Sequence, residues 1–196
     1  AEADPSLDVS GRDAADKIAI LAYLAFGTRI RPDQVRCEGI TELNQDIIAD
    51  AARLGYRVKL LGVARREEQG EKSAQGLDVR VHPAFIPEEH VMGHVPGAQN
   101  AIAIASDALG PTLYQGAGAG ALPTGNSVVA DLIAVGRNLR AGINTCLHEG
   151  RLIGVPKPLA WGHSLSAYYL RVGVTEQPGV LASITHILAR SGVSLA

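Results

Sequence analysis

The chain has 196 residues, 46% of them hydrophobic, and its 18 Lys and Arg nearly balance its 20 Asp and Glu. This balance argues against a strongly basic nucleic-acid-binding protein, and no run reaches the roughly 18 apolar residues of a membrane-spanning helix. Two cysteines, Cys37 and Cys146, are too few for a disulfide scaffold or a cysteine zinc cluster, so we interpret both as core or surface residues. We therefore predict a cytoplasmic α/β protein without nucleic-acid or membrane partners.

Two helices are predicted in the first third of the chain. Apolar residues recur at helical spacing over residues 12–26, and Gly27 is placed to end that helix. A second helix is predicted from Asn44, whose side chain can cap the first turn, to Leu54, with Gly55 directly after it.

The hydrophobic pattern then changes from helical spacing to strands. Residues 56–65 and 77–86 read as two strands joined by a long polar hairpin loop over residues 66–76. Further along, the pattern predicts a strand around residues 101–104, a short strand at 112–115 and a helix over 125–140.

The predicted elements indicate an α/β (α+β) fold, a mixed β-sheet with helices packed on one face. We expect the strands at 56–64, 77–85 and 98–105 to form the centre of this sheet. Because these strands carry aliphatic residues on both faces, a face left uncovered would be apolar. This predicts a homodimer formed through that face.

The C-terminal part of the chain has a different organisation. Residues 141–166 read as a linker, because glycines and prolines interrupt the pattern. A new unit is predicted over 167–196, with a strand at 167–174, a helix at 180–190 and the beginning of another strand at 193–195.

Acidic residues precede a lysine at the start of the first predicted helix. They are Glu2, Asp4, Asp8 and Asp13, and the lysine is Lys17. One interpretation is purely structural: Asp13 stabilises the first turn of the helix by interacting with the positive end of the helix dipole, and it pairs with Lys17 one turn later. The other is catalytic, because converging carboxylates can hold an ammonium group and a lysine beside them can act as a general acid or base. The spacing alone leaves both open.

The pattern Asp4-Pro5-x-x-Asp8-Val9-x-Gly11-x-Asp13-x-x-x-Lys17 resembles the signature of homoserine dehydrogenases. The resemblance extends over residues 1–140, which we assign as a substrate-binding, catalytic and dimerisation domain. It also rests on five further stretches, Gly39-Ile40-Thr41, Asp46-Ile47, Leu54-Gly55-Tyr56-x-Val58-Lys59-Leu60, Val81-His82-Pro83 and Gly97-Ala98-x-Asn100-Ala101.

The resemblance implies an NAD(P)-dependent interconversion of L-homoserine and L-aspartate 4-semialdehyde in threonine and methionine biosynthesis. By position, it makes Lys17 the proton donor and acceptor, makes Glu2 and Asp13 substrate-binding residues, and adds Asp8 to the carboxylate set. Lys59 is conceivable as a second active-site lysine. Strand alternation favours a structural role for Lys59 instead, because it places the Lys59 side chain on the opposite face of the strand from Val58 and Leu60. None of the six histidines pair at a metal-ligand spacing on one helix face, so no metal site is predicted.

A glycine-rich run occupies residues 116–120, just before the predicted helix at 125–140. Its G-x-G-x-G spacing differs from the G-x-G-x-x-G dinucleotide fingerprint, so alone it indicates a turn with close backbone approach. The resemblance implies that Gly120 approaches the cofactor, while NAD(P) is held mainly by a nucleotide-binding domain that this chain lacks. The start at Ala1 and the single methionine, Met92, fit a fragment or a processed product.

Residues 167–196 resemble the start of an ACT domain, on the motif Glu176-Gln177-Pro178-Gly179-Val180-Leu181. The resemblance implies an incomplete ferredoxin-like βαβ unit and an amino-acid effector such as threonine. It leaves an alternative function for the chain, a non-enzymatic amino-acid-binding regulatory module. A lysine Schiff-base enzyme that uses Lys17 is a third hypothesis.

Overall fold

The computed structural model describes residues 4–67, 76–97, 99–143, 157–159 and 166–193. The chain divides into two compact units, residues 1–164 and residues 165–196. The first unit contains α1 (Ser6–Val9), α2 (Arg12–Phe26), β1 (Arg36–Cys37), α3 (Gln45–Arg53), β2 (Tyr56–Glu67), β3 (Gly76–Pro87), β4 (Gln99–Ser106), β5 (Gly110–Ala117), α4 (Ala121–Arg140) and β6 (Lys157–Pro158). The second contains α5 (Val180–Arg190).

The two helices predicted in the first third of the chain are confirmed. Helix α2 ends at Gly27, which adopts the left-handed conformation and donates its N–H to the Tyr23 carbonyl at 2.8 Å. Helix α3 begins after Asn44, whose Oδ1 accepts the Ile47 N–H at 2.9 Å. Both ends follow from local capping chemistry, which is why the sequence predicts them well.

The predicted hairpin is also confirmed. Strands β2 and β3 pair antiparallel from Tyr56 opposite Pro87 to Glu67 opposite Gly76, so they are longer than predicted. Their connection, residues 68–75, lies outside the described residues. Strands β1 and β6 pair parallel with β3, which makes the sheet mixed. The predicted fold class, a mixed sheet with helices packed on it, is therefore confirmed.

The core lies between α2 and one face of this sheet. Leu77 and Val81 of β3 are fully buried there. Gly62 of β2 lets the helix come close, because a Cβ at this position would lie 3.1 Å from Cβ of Ile18. Four residues of α2 complete this side of the core, Ala15, Ile18, Ala19 and Ala22.

The opposite face of the β2–β3 hairpin is more polar than the sequence pattern predicts. Asp78, Arg80 and His82 alternate along this face of β3, and all three are linked. Arg80 forms an ion pair with Asp78, and its Nε donates to Nε2 of His82 at 3.0 Å. Leu61 and Val63 keep part of the face apolar.

The prediction that β4 lies at the centre of the main sheet is wrong. Among the described residues, β4 pairs with β5 in a separate two-stranded sheet, with Gln99 opposite Ala117. Only residues 107–109 separate the two strands, so β5 reaches the edge of β4 at little loop-closure cost. Alternation in the sequence predicts a strand but carries no information on which strand lies beside it.

Helix α4 begins at Ala121, four residues before the predicted start at residue 125. Pro123 suits this extension, because a first-turn residue has no intrahelical acceptor for an N–H and proline lacks one. The helix has no buried residue. Its large exposed apolar side chains are Leu122, Val128, Val129, Leu132, Ile133, Val135 and Leu139.

In the second unit, the predicted helix is confirmed as α5, but the predicted strand at 167–174 is wrong. Residues 166–177 are described, and they form no strand. A strand needs a hydrogen-bonded neighbour, and the described part of this unit supplies none. Most of the other predicted strand, residues 194–195, lies outside the described residues. Within the described ranges, no helix is both long and apolar enough to cross a bilayer.

Candidate active site

The exposed face of α2 carries the two central residues of the predicted site. Asp13 and Lys17 form an ion pair across one helical turn, so the predicted shared face is confirmed. Their side chains are 42% and 53% exposed, which limits what the pair adds to stability. The pair therefore remains open to a ligand that approaches this face.

The segment before α2 positions the other predicted carboxylates. Oδ1 of Asp4 accepts the Ser6 N–H at 3.0 Å at the start of α1, and this backbone hydrogen bond, assisted by the Ser6 side chain, lowers the pKa of Asp4. Asp8 is exposed in α1 and makes no hydrogen bond or ion pair with Asp13 or Lys17. Glu2 lies outside the described residues.

A short stretch around β1 fastens the turn between α1 and α2 to the sheet. Ile40 donates its N–H to the Val9 carbonyl at 2.8 Å, and Sγ of Cys37 donates to the Ser10 carbonyl at 3.2 Å. On the other side, the Glu38 N–H reaches the Val81 carbonyl at 2.8 Å. We call residues 36–40 the β1 clamp. It fixes the turn that leads from Asp8 to Asp13.

The β1 clamp depends on two glycines. A Cβ at Gly39 would lie 2.3 Å from the Val9 carbonyl oxygen, so only glycine fits against this turn. Gly11 has a φ of +79°, and a Cβ there would lie 2.8 Å from Sγ of Cys37. Burial raises the pKa of the Cys37 thiol, which keeps it a neutral hydrogen-bond donor at neutral pH. No sequence pattern predicts a site role for Cys37 or Gly39, because their contacts join residues far apart in the chain.

A cavity of about 530 Å³ opens beside the Asp13–Lys17 pair. Its size falls within the range of about 300–1,000 Å³ that is typical of small-molecule sites. One side is formed by α2 and β2, and the other by the segment 92–97 and β4. Its polar side chains are those of Asp13, Lys17, Lys59, Gln99 and Asn100.

Lys59 is half-buried at this cavity. Its neighbour Leu60 packs against the core, so Lys59 lies on the opposite face of β2, as strand alternation predicts. The Lys59 ammonium donates to the Val95 carbonyl at 2.9 Å, and both residues border the cavity. The bond to Val95 fits a structural role, but the position of Lys59 is also within the candidate site.

The glycine-rich run approaches the cavity from β5. Gly118 lies against the Asn100 side chain, since a Cβ at Gly118 would come within 2.3 Å of its Cγ. Gly120 precedes the first turn of α4 with a φ of +125° and a ψ of 151°, a conformation that favours glycine. Gly120 does not border the cavity itself. Across the described ranges, no group of three or more His, Cys, Asp or Glu is placed to bind a metal ion.

Comparison with known proteins identifies the family. The family model described as homoserine dehydrogenase matches residues 1–133, which include the Asp13–Lys17 pair and the β1 clamp. The chain belongs to the homoserine dehydrogenase family. The homoserine dehydrogenases of Neisseria gonorrhoeae and Pseudomonas aeruginosa are 41% and 43% identical to it, each over 100% of this chain.

Solved structures of homoserine dehydrogenases share the fold. The enzyme from Thiobacillus denitrificans aligns with a TM-score of 0.74 and 40% identity, over 97% of this chain and 44% of its own. That from Staphylococcus aureus aligns with a TM-score of 0.62 and 38% identity, over 71% of this chain and 33% of its own. This chain also spans only 44% of the Neisseria and Pseudomonas homoserine dehydrogenases.

Proposed function

We propose that this chain is the substrate-binding and catalytic part of an enzyme that interconverts L-homoserine and L-aspartate 4-semialdehyde. The observation that carries the proposal is the Asp13–Lys17 pair beside the cavity, within the residues that match the homoserine dehydrogenase family. The same match favours an enzyme over a non-enzymatic regulatory module. It gives no support to a Schiff-base reaction.

The charges of the site suit an amino acid with a terminal hydroxyl. A carboxylate binds an ammonium group through charge-assisted hydrogen bonds, so Asp13 is placed to receive the substrate ammonium. Asp8 and Glu2 complete the carboxylate set in this proposal. Lys17 is then the group that faces the terminal oxygen of the substrate.

Lys17 moves the proton in both directions. In homoserine oxidation, the Lys17 ammonium first releases a proton to solvent, and the neutral amine then takes the hydroxyl proton as the terminal carbon gives up a hydride and becomes an aldehyde. In the reverse direction, the Lys17 ammonium returns a proton to the aldehyde oxygen as the hydride arrives. Asp13 holds the Lys17 side chain through their ion pair, so that Nζ does not have to be ordered when the substrate binds.

NAD(P), when bound, accepts or supplies this hydride. The residues of this chain that fit an approaching nucleotide are those at the start of α4, where Gly120 has no side chain to block the backbone. The remaining contacts to the cofactor, and the choice between NAD and NADP, belong to residues outside this chain in our proposal.

A substrate panel tests the proposed reaction. The complete enzyme that contains this chain is assayed with NAD⁺ and NADP⁺ against homoserine, serine, threonine and 4-hydroxybutyrate, by the absorbance of the reduced cofactor. We expect turnover with homoserine and at least about tenfold lower kcat/KM with the others, because each lacks the ammonium or the correctly spaced hydroxyl. Equal activity on 4-hydroxybutyrate would contradict the role of the carboxylates.

Two further features belong to the same proposal, a homodimer and control by an amino acid such as threonine. The dimer would use the outer face of β2 and β3, where Leu61 and Val63 are apolar. Light scattering of the complete enzyme is expected to give twice the monomer mass, and a monomer would refute the dimer.

A thermal shift with threonine that requires residues 165–196 would support control by this amino acid. The absence of such a shift would refute threonine as the effector.

A further inference from the structure

Lys59 carries a positive charge that no carboxylate neutralises in the described residues. Its ammonium is half-buried, and its hydrogen-bond partner is a neutral group, the Val95 carbonyl at 2.9 Å. Two cations near Lys59 are paired with carboxylates: Lys17 in the same cavity with Asp13, and Arg57 on the same strand with Glu88 at 2.9 Å. A partly desolvated charge without a counter-charge is costly, so this position favours an anionic ligand.

The surroundings of Lys59 can hold such a ligand. An ammonium has three N–H donors, and the bond to Val95 uses one of them. Lys59 and Val95 both border the cavity beside Lys17, and so do Gln99 and Asn100. Gln115 donates to Oε1 of Gln99, which leaves the NH₂ group of Gln99 as a donor. Lys59 also borders a smaller cavity of about 380 Å³, but these two amides do not.

The proposed substrate supplies the matching anion. Homoserine has an ammonium for Asp13 and a hydroxyl for Lys17, and its α-carboxylate still needs a partner. We propose that Lys59, assisted by the amides of Gln99 and Asn100, forms the subsite for the α-carboxylate of the amino-acid substrate. This inference rests on the proposed function, and it makes Lys59 a residue that selects α-amino acids over simple amino alcohols.

A substrate that lacks only the carboxylate gives the sharpest test. 3-Aminopropan-1-ol is homoserine without its α-carboxylate and keeps the ammonium and the hydroxyl. The complete enzyme and its Lys59→Met variant are compared with both compounds at saturating cofactor, each as substrate or competitive inhibitor. We expect Lys59→Met to lower kcat/KM for homoserine about 10- to 100-fold, the range for a charged hydrogen bond. For 3-aminopropan-1-ol, we expect no change.

Arg57→Met is the matched control. Arg57 lies two residues before Lys59 on the same side of β2 and is also tied to the next segment of the chain, but it does not border the larger cavity. The Arg57→Met variant is expected to leave the ratio of kcat/KM for homoserine to kcat/KM for 3-aminopropan-1-ol unchanged. An equal loss with both compounds in Lys59→Met would overturn the subsite, because it would show that Lys59 acts only by holding Val95. No loss with homoserine would overturn it as well.

A binding measurement separates this inference from the proposed function. If the wild-type enzyme does not oxidise homoserine, the proposed function fails. Thermal shift with homoserine, measured on the wild type and on Lys59→Met, still reports on the subsite. A shift that Lys59→Met abolishes supports the carboxylate subsite, and an equal or absent shift in the two proteins refutes it.

Discussion

Replacing Lys17 by methionine is expected to lower kcat for homoserine oxidation about 10²- to 10⁴-fold, the contribution of general acid–base catalysis. Methionine keeps the length of the side chain but cannot accept or donate the proton of the substrate oxygen. Folding should change little, because the Lys17 side chain is 53% exposed and the Asp13 side chain with which it forms an ion pair is 42% exposed. Steady-state kinetics of the complete enzyme, with thermal unfolding in parallel, measure both effects.

Two companion variants show whether Lys17 acts through its proton or only through its charge. Lys17→Arg keeps the positive charge, but a guanidinium stays protonated and cannot cycle a proton, so it should also be inactive. Asp16→Asn changes an exposed charge on the neighbouring position of α2 and should retain wild-type kcat. Wild-type turnover by Lys17→Arg would reduce the role of Lys17 to electrostatics and would contradict the proposed proton transfer.

Replacing Gly11 by alanine is expected to destabilise the protein by about 2–5 kcal/mol, and to raise KM for homoserine. Two costs add: alanine at a φ of +79° is strained by about 1–2 kcal/mol, and overpacking costs about 1–3 kcal/mol. The overpacking arises because the new Cβ would lie 2.8 Å from Sγ of Cys37. KM should rise because the turn at Gly11 leads directly to Asp13. Denaturant unfolding and kinetics of the complete enzyme test the prediction.

Gly55 provides a control with the same backbone conformation. It also has a φ of +79°, but a Cβ there would meet nothing within 4 Å, so Gly55→Ala carries only the conformational cost. Adding Cys37→Ala to Gly11→Ala should recover much of the overpacking term, since it removes the sulfur. If Gly11→Ala and Gly55→Ala lose the same stability, the β1 clamp does not press on this turn as described.

The parts of the fold that the sequence predicts well are determined locally. The Asn44 cap, the Gly27 stop and the pairing of Asp13 with Lys17 all depend on residues within about one helical turn. The β2–β3 hairpin follows from two alternating runs that are near each other in the chain. These features need no knowledge of the tertiary structure.

The features that the sequence does not predict depend on contacts between distant residues. The β1 clamp brings Cys37 and Gly39 against Val9 and Ser10, and no periodicity marks such a contact. The separation of β4 from the main sheet reflects the choice of a neighbouring strand, on which alternation carries no information. For residues 167–174 alternation predicts a strand, but hydrogen bonding needs a partner strand that the described part of that unit does not contain.

A crystal structure of the complete enzyme with homoserine bound tests the central claim most directly. The decisive quantity is the distance from Nζ of Lys17 to the terminal oxygen of homoserine. We expect a hydrogen bond of about 2.7–3.2 Å, with the ammonium of homoserine on the Asp13 carboxylate. A homoserine whose terminal oxygen lies beyond hydrogen-bond reach of Lys17, with another residue as its proton partner, would contradict the assignment of this site.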